Sequence, residues 1–308
     1  MSPVLPVVFL VYAVAFAAIA PPGGADVNQA AQIYWNNALP NMTMPLAISD
    51  MVKKATAPRA DNESHHSVNC LFYYRSSRCS GAPPSAPAAV VGVFFRETDI
   101  KVGKVMTVAM PSQVPEGFLP PNVAEKIPFG NLNNILAKFN VSTTSREAAE
   151  VNYTMLNCAD PPTSGEQKAC VTSLEAVVET AMGFLGTRNV SVAASALTGA
   201  GLPHRAYMVR SVHQLGSSRV VACHNKPYPY ALYLCHTTRR SQAYKIVIQG
   251  NFRGDQTIAM VAVCHRDTRN WTPSHPAFKV LGEHPGGNPV CHFTPYADLL
   301  FVAKVAHG

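Results

Sequence analysis

The chain has 308 residues, and its 47% hydrophobic content is enough to bury a large core in one or two domains. The formal charge of +7, from 25 basic and 18 acidic residues, is spread along the chain. Arg239-Arg240 is its only adjacent arginine pair and no basic block is interleaved with aromatics, which argues against nucleic-acid binding; on a secreted protein the same excess would favour an acidic polysaccharide.

The first 20 residues carry no charge, and the apolar run from Val4 to Ala20 ends in small residues. It reads as a secretory signal peptide cleaved between Ala18 and Ala25, so residues 1–25 are set apart from the fold. The rival reading is an uncleaved anchor, but the run is at the short end for a bilayer span. No other segment is apolar enough to cross, so no stable membrane insertion is expected. Secretion agrees with six sequons, at Asn41, Asn62, Asn140, Asn152, Asn189 and Asn270, each a candidate glycan site. It also agrees with an even count of eight cysteines and no close Cys-x2-Cys spacing of the zinc-finger kind.

Residues 26–90 read as a poorly structured arm. Asp26 to Tyr34 has the pattern of a short helix, but Pro40, Pro45 and Pro58 interrupt the stretch after it, and Gly81 to Pro87 is a linker. Cys70 and Cys79 enclose Phe72, Tyr73 and Tyr74, which suggests a small disulfide loop or hairpin.

The main domain is expected over residues 91–304. Val90 to Phe95 suits a buried strand and Lys104 to Met110 a second one. Prolines between Pro111 and Pro128 then exclude regular structure. Asn131 to Phe139 and Ser145 to Asn157 have helical spacing, with Ser145 as the cap of the second. Cys158 and Cys170 flank a helix-breaking turn, and a disulfide between them would clamp two helices. Val171 to Leu185 is an amphipathic helix whose apolar stripe is core.

From Val190 the period changes to two. Val190 to Ala194, Ala206 to Val212, Arg219 to Cys223, Tyr230 to Cys235, Ala243 to Ile248, Ile258 to Cys264 and Leu299 to Val302 read as strands. Helices first and strands afterwards predict an α+β fold, with a mainly antiparallel β-sheet domain stapled by disulfides.

Within this part a Cys is followed by a His four times in seventy residues: Cys223-His224, Cys235-His236, Cys264-His265 and Cys291-His292, with gaps of 10, 27 and 25 residues. Successive side chains of a strand point to opposite faces, so the first three pairs, near strand ends, would send cysteines one way and histidines the other. Gly286 to Pro289 forms a tight loop that delivers the fourth pair. Cysteines on a shared face of an oxidised protein can form disulfides. Histidines gathered on the other face suit copper, zinc or nickel, and a nitrogen-only set ranks Cu(II) above Zn(II). Asp255, Asp267 and Glu283 are candidate carboxylates to orient a ring. His204, His213, His275, His284, His65, His66 and His307 lack the pattern and are not expected in the site.

This Cys-His spacing, with Phe94-Phe95 upstream and the closing Pro289 to Phe293, resembles the BURP domain of plant proteins. The resemblance runs from about Val91 to Val302 and takes in Cys158 and Cys170, while Tyr34-Trp35, Leu39-Pro40 and Met44-Pro45 resemble the short segment that many such proteins carry after the signal peptide. It implies an apoplast or cell-wall protein with a role in development or stress response. Some members are copper-dependent peptide cyclases that join a Tyr or Trp side chain to another position of a core peptide. Carried over, His224, His236, His265 and His292 would hold copper, with a peptide as substrate and Tyr73 and Tyr74 as the local targets. The arm departs from the cyclase pattern in having no tandem core repeat. No phosphate-binding glycine loop, His-Glu-x-x-His motif or Gly-x-Ser-x-Gly elbow suggests another chemistry.

Overall fold

The computed structural model describes residues 27–54, 93–110, 114–119 and 130–304, apart from 217, 239, 252 and 253. The signal-peptide segment, Asn62 and the Cys70 to Cys79 loop with Tyr73 and Tyr74 lie outside the described residues.

Eleven described strands form two antiparallel sheets. Those of the first are β1 (Phe94–Arg96), β2 (Val105–Met110), β5 (Leu202–Leu215), β8 (Ser241–Gly250), β9 (Thr257–His265) and β10 (Val290–Phe293), in the order β1-β10-β9-β8-β5-β2. Those of the second are β3 (Gln167–Val171), β4 (Val190–Ala193), β6 (Val220–Asn225), β7 (Tyr233–Thr237) and β11 (Leu299–Ala303), in the order β3-β7-β6-β11-β4. Together with the helices, this is the α+β architecture expected from the order of periodicities, and three disulfides staple it.

Six described helices accompany the sheets: α1 (Val27–Ala38), α2 (Leu46–Lys54), α3 (Leu132–Lys138), α4 (Arg146–Ala159), α5 (Leu174–Leu185) and α6 (Pro276–Leu281). Among those that begin on a side-chain cap, two do so on a serine. The Ser145 side chain accepts from the Ala148 N–H at the head of α4, and Ser173 accepts from Ala176 at the head of α5. Helix α5 stops at Gly186, whose φ of 67° lies in the left-handed region that glycine enters at no steric cost. Its buried stripe, Leu174, Val177, Val178, Ala181, Met182 and Leu185, packs into the main core with β6, β7 and β11.

The arm divides where the sequence drew no boundary. Residues 27–54 form two helices, not only the short one at Asp26 to Tyr34, and Trp35, Leu39, Ile48 and Met51 belong to the main core. The Trp35 indole is fully buried and donates to the Met42 carbonyl at 2.8 Å. From α2, Asp50 accepts from the Tyr296 hydroxyl at 2.8 Å. Pro40 and Pro45 break the local pattern without preventing order, because the helices on either side of them bury apolar faces on the domain.

Two further differences arise from pairing. Cys158 lies on α4 and Cys170 on β3, so their disulfide ties a helix to a strand instead of clamping two helices. Strand β3 carries no clear period-two signal and exists because it pairs with β7, Ala169 opposite Cys235. The run at Val90 to Phe95 is described only from residue 93, and its strand is the edge of its sheet, pairing with β10 alone.

Candidate functional site

All four Cys-His pairs lie on strands: β6, β7, β9 and β10. The loop at Gly286 to Pro289 delivers the fourth pair to a strand like the others. Alternation then separates the two residue types. Cys223, Cys235, Cys264 and Cys291 are fully buried in the main core. On the other face, β6 reads Val220, Ala222, His224 and β9 reads Val261, Val263, His265; their valines and alanine join a smaller apolar cluster drawn from both sheets.

The cysteines pair across their own sheets. Cys223 lies directly opposite Cys235 and Cys264 opposite Cys291, and each couple is a disulfide. Because the strands are antiparallel, the residue after each cysteine lands on a diagonal of the same face, within reach of its counterpart. His224 and His236 bring their Nε2 atoms to 3.3 Å, and His265 and His292 bring theirs to 3.4 Å. Each disulfide therefore backs one histidine pair, one pair to a sheet. Across the sheets the rings also neighbour each other, with centroids 5.7 Å apart for His224 and His292 and 6.1 Å for His236 and His265.

The Nδ1 atoms all point to partners. That of His224 lies 2.6 Å from Asp298 Oδ2, that of His236 lies 2.9 Å from Glu166 Oε1, and that of His292 lies 3.2 Å from the Phe293 carbonyl. Carboxylates and carbonyls accept, so these three rings carry their proton on Nδ1 and turn a bare lone pair outward at Nε2. His265 Nδ1 meets the Thr238 hydroxyl at 2.9 Å. Two bare nitrogens 3.3 Å apart repel unless a proton or a cation lies between them.

A proton is disfavoured there. Burial, reinforced by neighbouring histidines, holds the pKa of His224 and of His265 well below the ordinary range, and burial with the nearness of the His224 ring brings His292 down to about 3. Burial pushes the Asp298 carboxyl up to about 7, against the Asn225 N–H and the charge of Lys226. Burial also acts to raise Glu166, but the bond from His236, the electrostatic pull of that ring and two bonds from Thr163 take it down to about 2. Among the described residues no group of three or more His, Cys, Asp or Glu is placed so that it could hold a metal ion as it stands. The arrangement is two nitrogen pairs facing one cavity of about 560 Å³.

The carboxylates that orient the rings are not the three expected. Asp255 pairs with Arg205, Asp267 with Arg269 and Glu283 with Arg96. Asp298 reaches His224 because it shares alternation with Leu300 and Val302 on β11, the neighbour of β6; Glu166 reaches His236 because it sits one residue before β3, beside β7. Spacing along the chain carries no trace of either. His275 also lines the cavity, against expectation, its ring tilted 38° against that of Trp271 with centroids 4.3 Å apart, and the Trp271 ring lies 5.0 Å from His265. Five sequon asparagines, Asn41, Asn140, Asn152, Asn189 and Asn270, are exposed, and Asn270 lies on the cavity rim.

Residues 93–303 match the family model of the BURP domain. The chain is 43% identical over 223 residues to Protein RAFTIN 1A of Triticum aestivum, covering 71% of this chain and 57% of that protein. To Protein RAFTIN 1B of the same species it is 34% identical over 355 residues, covering 96% and 98%. To BURP domain protein RD22 of Arabidopsis thaliana it is 35% identical over 217 residues, covering 68% and 55%. The match thus spans little more than half the length of RAFTIN 1A and of RD22.

Proposed function

Because this chain belongs to the BURP-domain family of plant proteins, we propose that it is a secreted, disulfide-locked protein of the cell wall or apoplast in which His224, His236, His265 and His292 hold copper. The observation that carries this reading is the inward-facing Nε2 set, with three of its four Nδ1 atoms on oxygen acceptors. The residues fit such an ion. Two nitrogens about 2.0–2.1 Å from one metal would stand roughly 3.3 Å apart in a tetrahedral set and roughly 2.9 Å apart as neighbours in the tetragonal set that Cu(II) prefers, so the pairs at 3.3 and 3.4 Å would need only to draw slightly closer around the ion. With every described cysteine in a disulfide, the set offers nitrogen and no thiolate, which suits Cu(II).

Secretion is supported by the three disulfides, which persist in an oxidising compartment, and by the exposed sequons. Among the described residues no helix is long and apolar enough to cross a membrane. A wall partner of acidic polysaccharide would suit the exposed Arg210, His213 and Lys245 on neighbouring strands β5 and β8. The test of the main reading is metal titration of the purified chain. One high-affinity Cu(II) site with nitrogen hyperfine structure is expected, and it should vanish when His224 and His265 are both changed to Ala. Equal copper binding by that variant would sink the reading.

A second reading has one observation in its favour: Val93 and Phe94, the first residues described after the segment that contains Tyr73 and Tyr74, line the cavity. In this reading the protein is a peptide cyclase acting on its own Tyr73 or Tyr74. Copper supplies one-electron oxidation. The crosslink forms between the Tyr ring and a second position with loss of two hydrogens, whose electrons and protons pass to dioxygen. The cavity residues hold the ring and exclude bulk water. Incubation with Cu(II) in air should then lower the mass of the peptide containing Tyr73 and Tyr74 by two hydrogens; an unchanged mass with copper bound removes autocatalysis on that loop.

A further inference from the structure

Strands β7 and β8 belong to different sheets, and the short turn that joins them passes behind His265. Thr238, the first residue of that turn, brings its hydroxyl to 2.9 Å from His265 Nδ1. Ser241, the first residue of β8, stands directly opposite His265 in the pairing with β9 and is buried. Its hydroxyl lies 2.6 Å from the Thr238 hydroxyl and also reaches the Thr238 carbonyl, at 3.4 Å. The N–H of Arg266, the residue after His265, fixes the turn by donating to the Arg240 carbonyl at 3.0 Å.

The ionised carboxylates of Asp298 and Glu166 and the Phe293 carbonyl only accept, so the rings of His224, His236 and His292 are each held in one tautomer. A hydroxyl both donates and accepts, which gives His265 two arrangements. In the first, His265 Nδ1–H donates to Thr238, the Thr238 hydroxyl donates to Ser241, and the Ser241 hydroxyl donates to the Thr238 carbonyl. In the second, Ser241 donates to the Thr238 hydroxyl and that hydroxyl donates to Nδ1. The ring proton then sits on Nε2, aimed at the bare Nε2 of His292 at 3.4 Å. Both arrangements use every proton, and neither asks a heavy atom to move. They differ at the cavity: the first leaves two lone pairs facing each other and suits a cation between them, whereas the second removes that repulsion when no cation is there.

From this geometry we propose that Thr238 and Ser241 are positioning residues of the histidine site. They form a reversible hydroxyl chain that lets His265 carry its proton on Nε2, bonded to His292, in the metal-free protein and on Nδ1 when a metal ion is held. One proton leaves Nε2 and one is taken up at Nδ1, so the ring is neutral in both states and nothing is oxidised or reduced. The loaded state rests on the copper reading and deepens it; the metal-free state concerns the rings and hydroxyls alone. Because Ser241 and His265 face each other across β8 and β9 while Thr238 follows β7, the chain also ties the two sheets together at the point where their histidines meet.

Long-range proton–nitrogen correlation spectra of the full chain with nitrogen-15-labelled histidine tell a ring N–H from a bare ring nitrogen. In excess chelator His265 should show its proton on Nε2 and His292 on Nδ1. With Zn(II), a diamagnetic ion that takes the same ligands, both should show it on Nδ1. Ser241→Ala removes the acceptor that the first arrangement needs, so His265 should stay protonated on Nε2 in chelator while Zn(II) and Cu(II) affinity falls about 10- to 100-fold. Thr238→Val should lower affinity likewise, and Thr238→Ser, which restores the hydroxyl, should return both the affinity and the change of tautomer. Wild-type signals from the His224 ring in each variant show that it is folded. A His265 proton on Nδ1 in chelator, or undiminished metal affinity in both Ser241→Ala and Thr238→Val, would overturn the proposal even with copper bound. A chain that takes up neither ion overturns the copper reading, and the proton positions in chelator still decide the metal-free half by themselves.

Discussion

His224 Nδ1 lies 2.6 Å from Asp298 Oδ2, and that contact fixes which nitrogen of the ring faces its neighbours. The second oxygen of the same carboxylate accepts from the Asn225 N–H at 2.9 Å, so the strand that carries the histidine also holds the group that orients it. A carboxylate placed behind an imidazole in this way raises its basicity and locks its tautomer.

Asp298→Asn tests that arrangement. The amide keeps the shape but loses the charge, and its NH2 can face His224 and favour the opposite tautomer. Copper affinity, measured by competition with a chelator of known strength, should fall about 10- to 100-fold. Glu166→Gln should act likewise through His236. Asp255→Asn, which touches Arg205 and no site histidine, should leave copper affinity unchanged.

The metal-free protein should lose stability on acidification from about pH 6.5. His224, His265 and His292 resist protonation in the fold, His292 down to about pH 3, whereas in the unfolded chain each takes a proton near pH 6.5. The unfolded state therefore binds more protons between those limits and is favoured as the pH falls, by up to about 1.4 kcal/mol per pH unit for each such histidine. Asp298, raised to about 7, acts in the opposite sense, gaining a proton in the fold before the unfolded chain does. Three histidines outweigh one carboxylate. Urea midpoints of chelator-treated protein should drop between pH 6.5 and 4.5; a flat profile would contradict the buried, neutral rings.

Removing a disulfide should disturb one histidine pair and spare the other. Replacing both Cys264 and Cys291 by Ala frees β9 from β10 and should cost about 2–5 kcal/mol. The loop closed by this bridge spans 27 residues against 12 for Cys223–Cys235. On chain entropy alone, its loss should therefore cost roughly 0.7 kcal/mol more. Copper binding by the variant lacking Cys264 and Cys291 should weaken through His265 and His292, with the spectrum of the remaining nitrogens retained.

Trp35→Ala should destabilise the whole domain. The indole is fully buried and also donates to Met42, so a large-to-small change of about 3–5 kcal/mol is expected. Unfolding should remain a single transition by near-ultraviolet dichroism and by calorimetry, because α1 shares its core with α5 and the sheets. A separate early transition for the N-terminal helices would show that they are an appendage.

Much of the fold was legible along the chain. The cap at Ser145, the stripe of α5 and most strands after Val190 are local signals: a hydroxyl before a helix, a period of 3.6, a period of two. The hidden parts depend on partners. Strand β3 has no pattern of its own and is a strand because β7 lies beside it, and α2 is ordered because Ile48 and Met51 reach the common core. Prolines at 40 and 45 made that segment read as broken, since local rules register the break and not the surface that receives both halves.

The site divides in the same way. Four repeats of Cys-His in strand context determined, without any coordinates, that sulfurs and imidazoles would part to opposite faces, because alternation along a strand is a property of the backbone. Sequence order could not say that the histidines would come as one pair from each sheet, that Asp298 and Glu166 rather than Asp255, Asp267 or Glu283 would stand behind the rings, or that Trp271 and His275 would share their cavity. Those facts depend on strand order and on the meeting of two sheets, and residues seventy or more positions apart become neighbours only when the chain has folded.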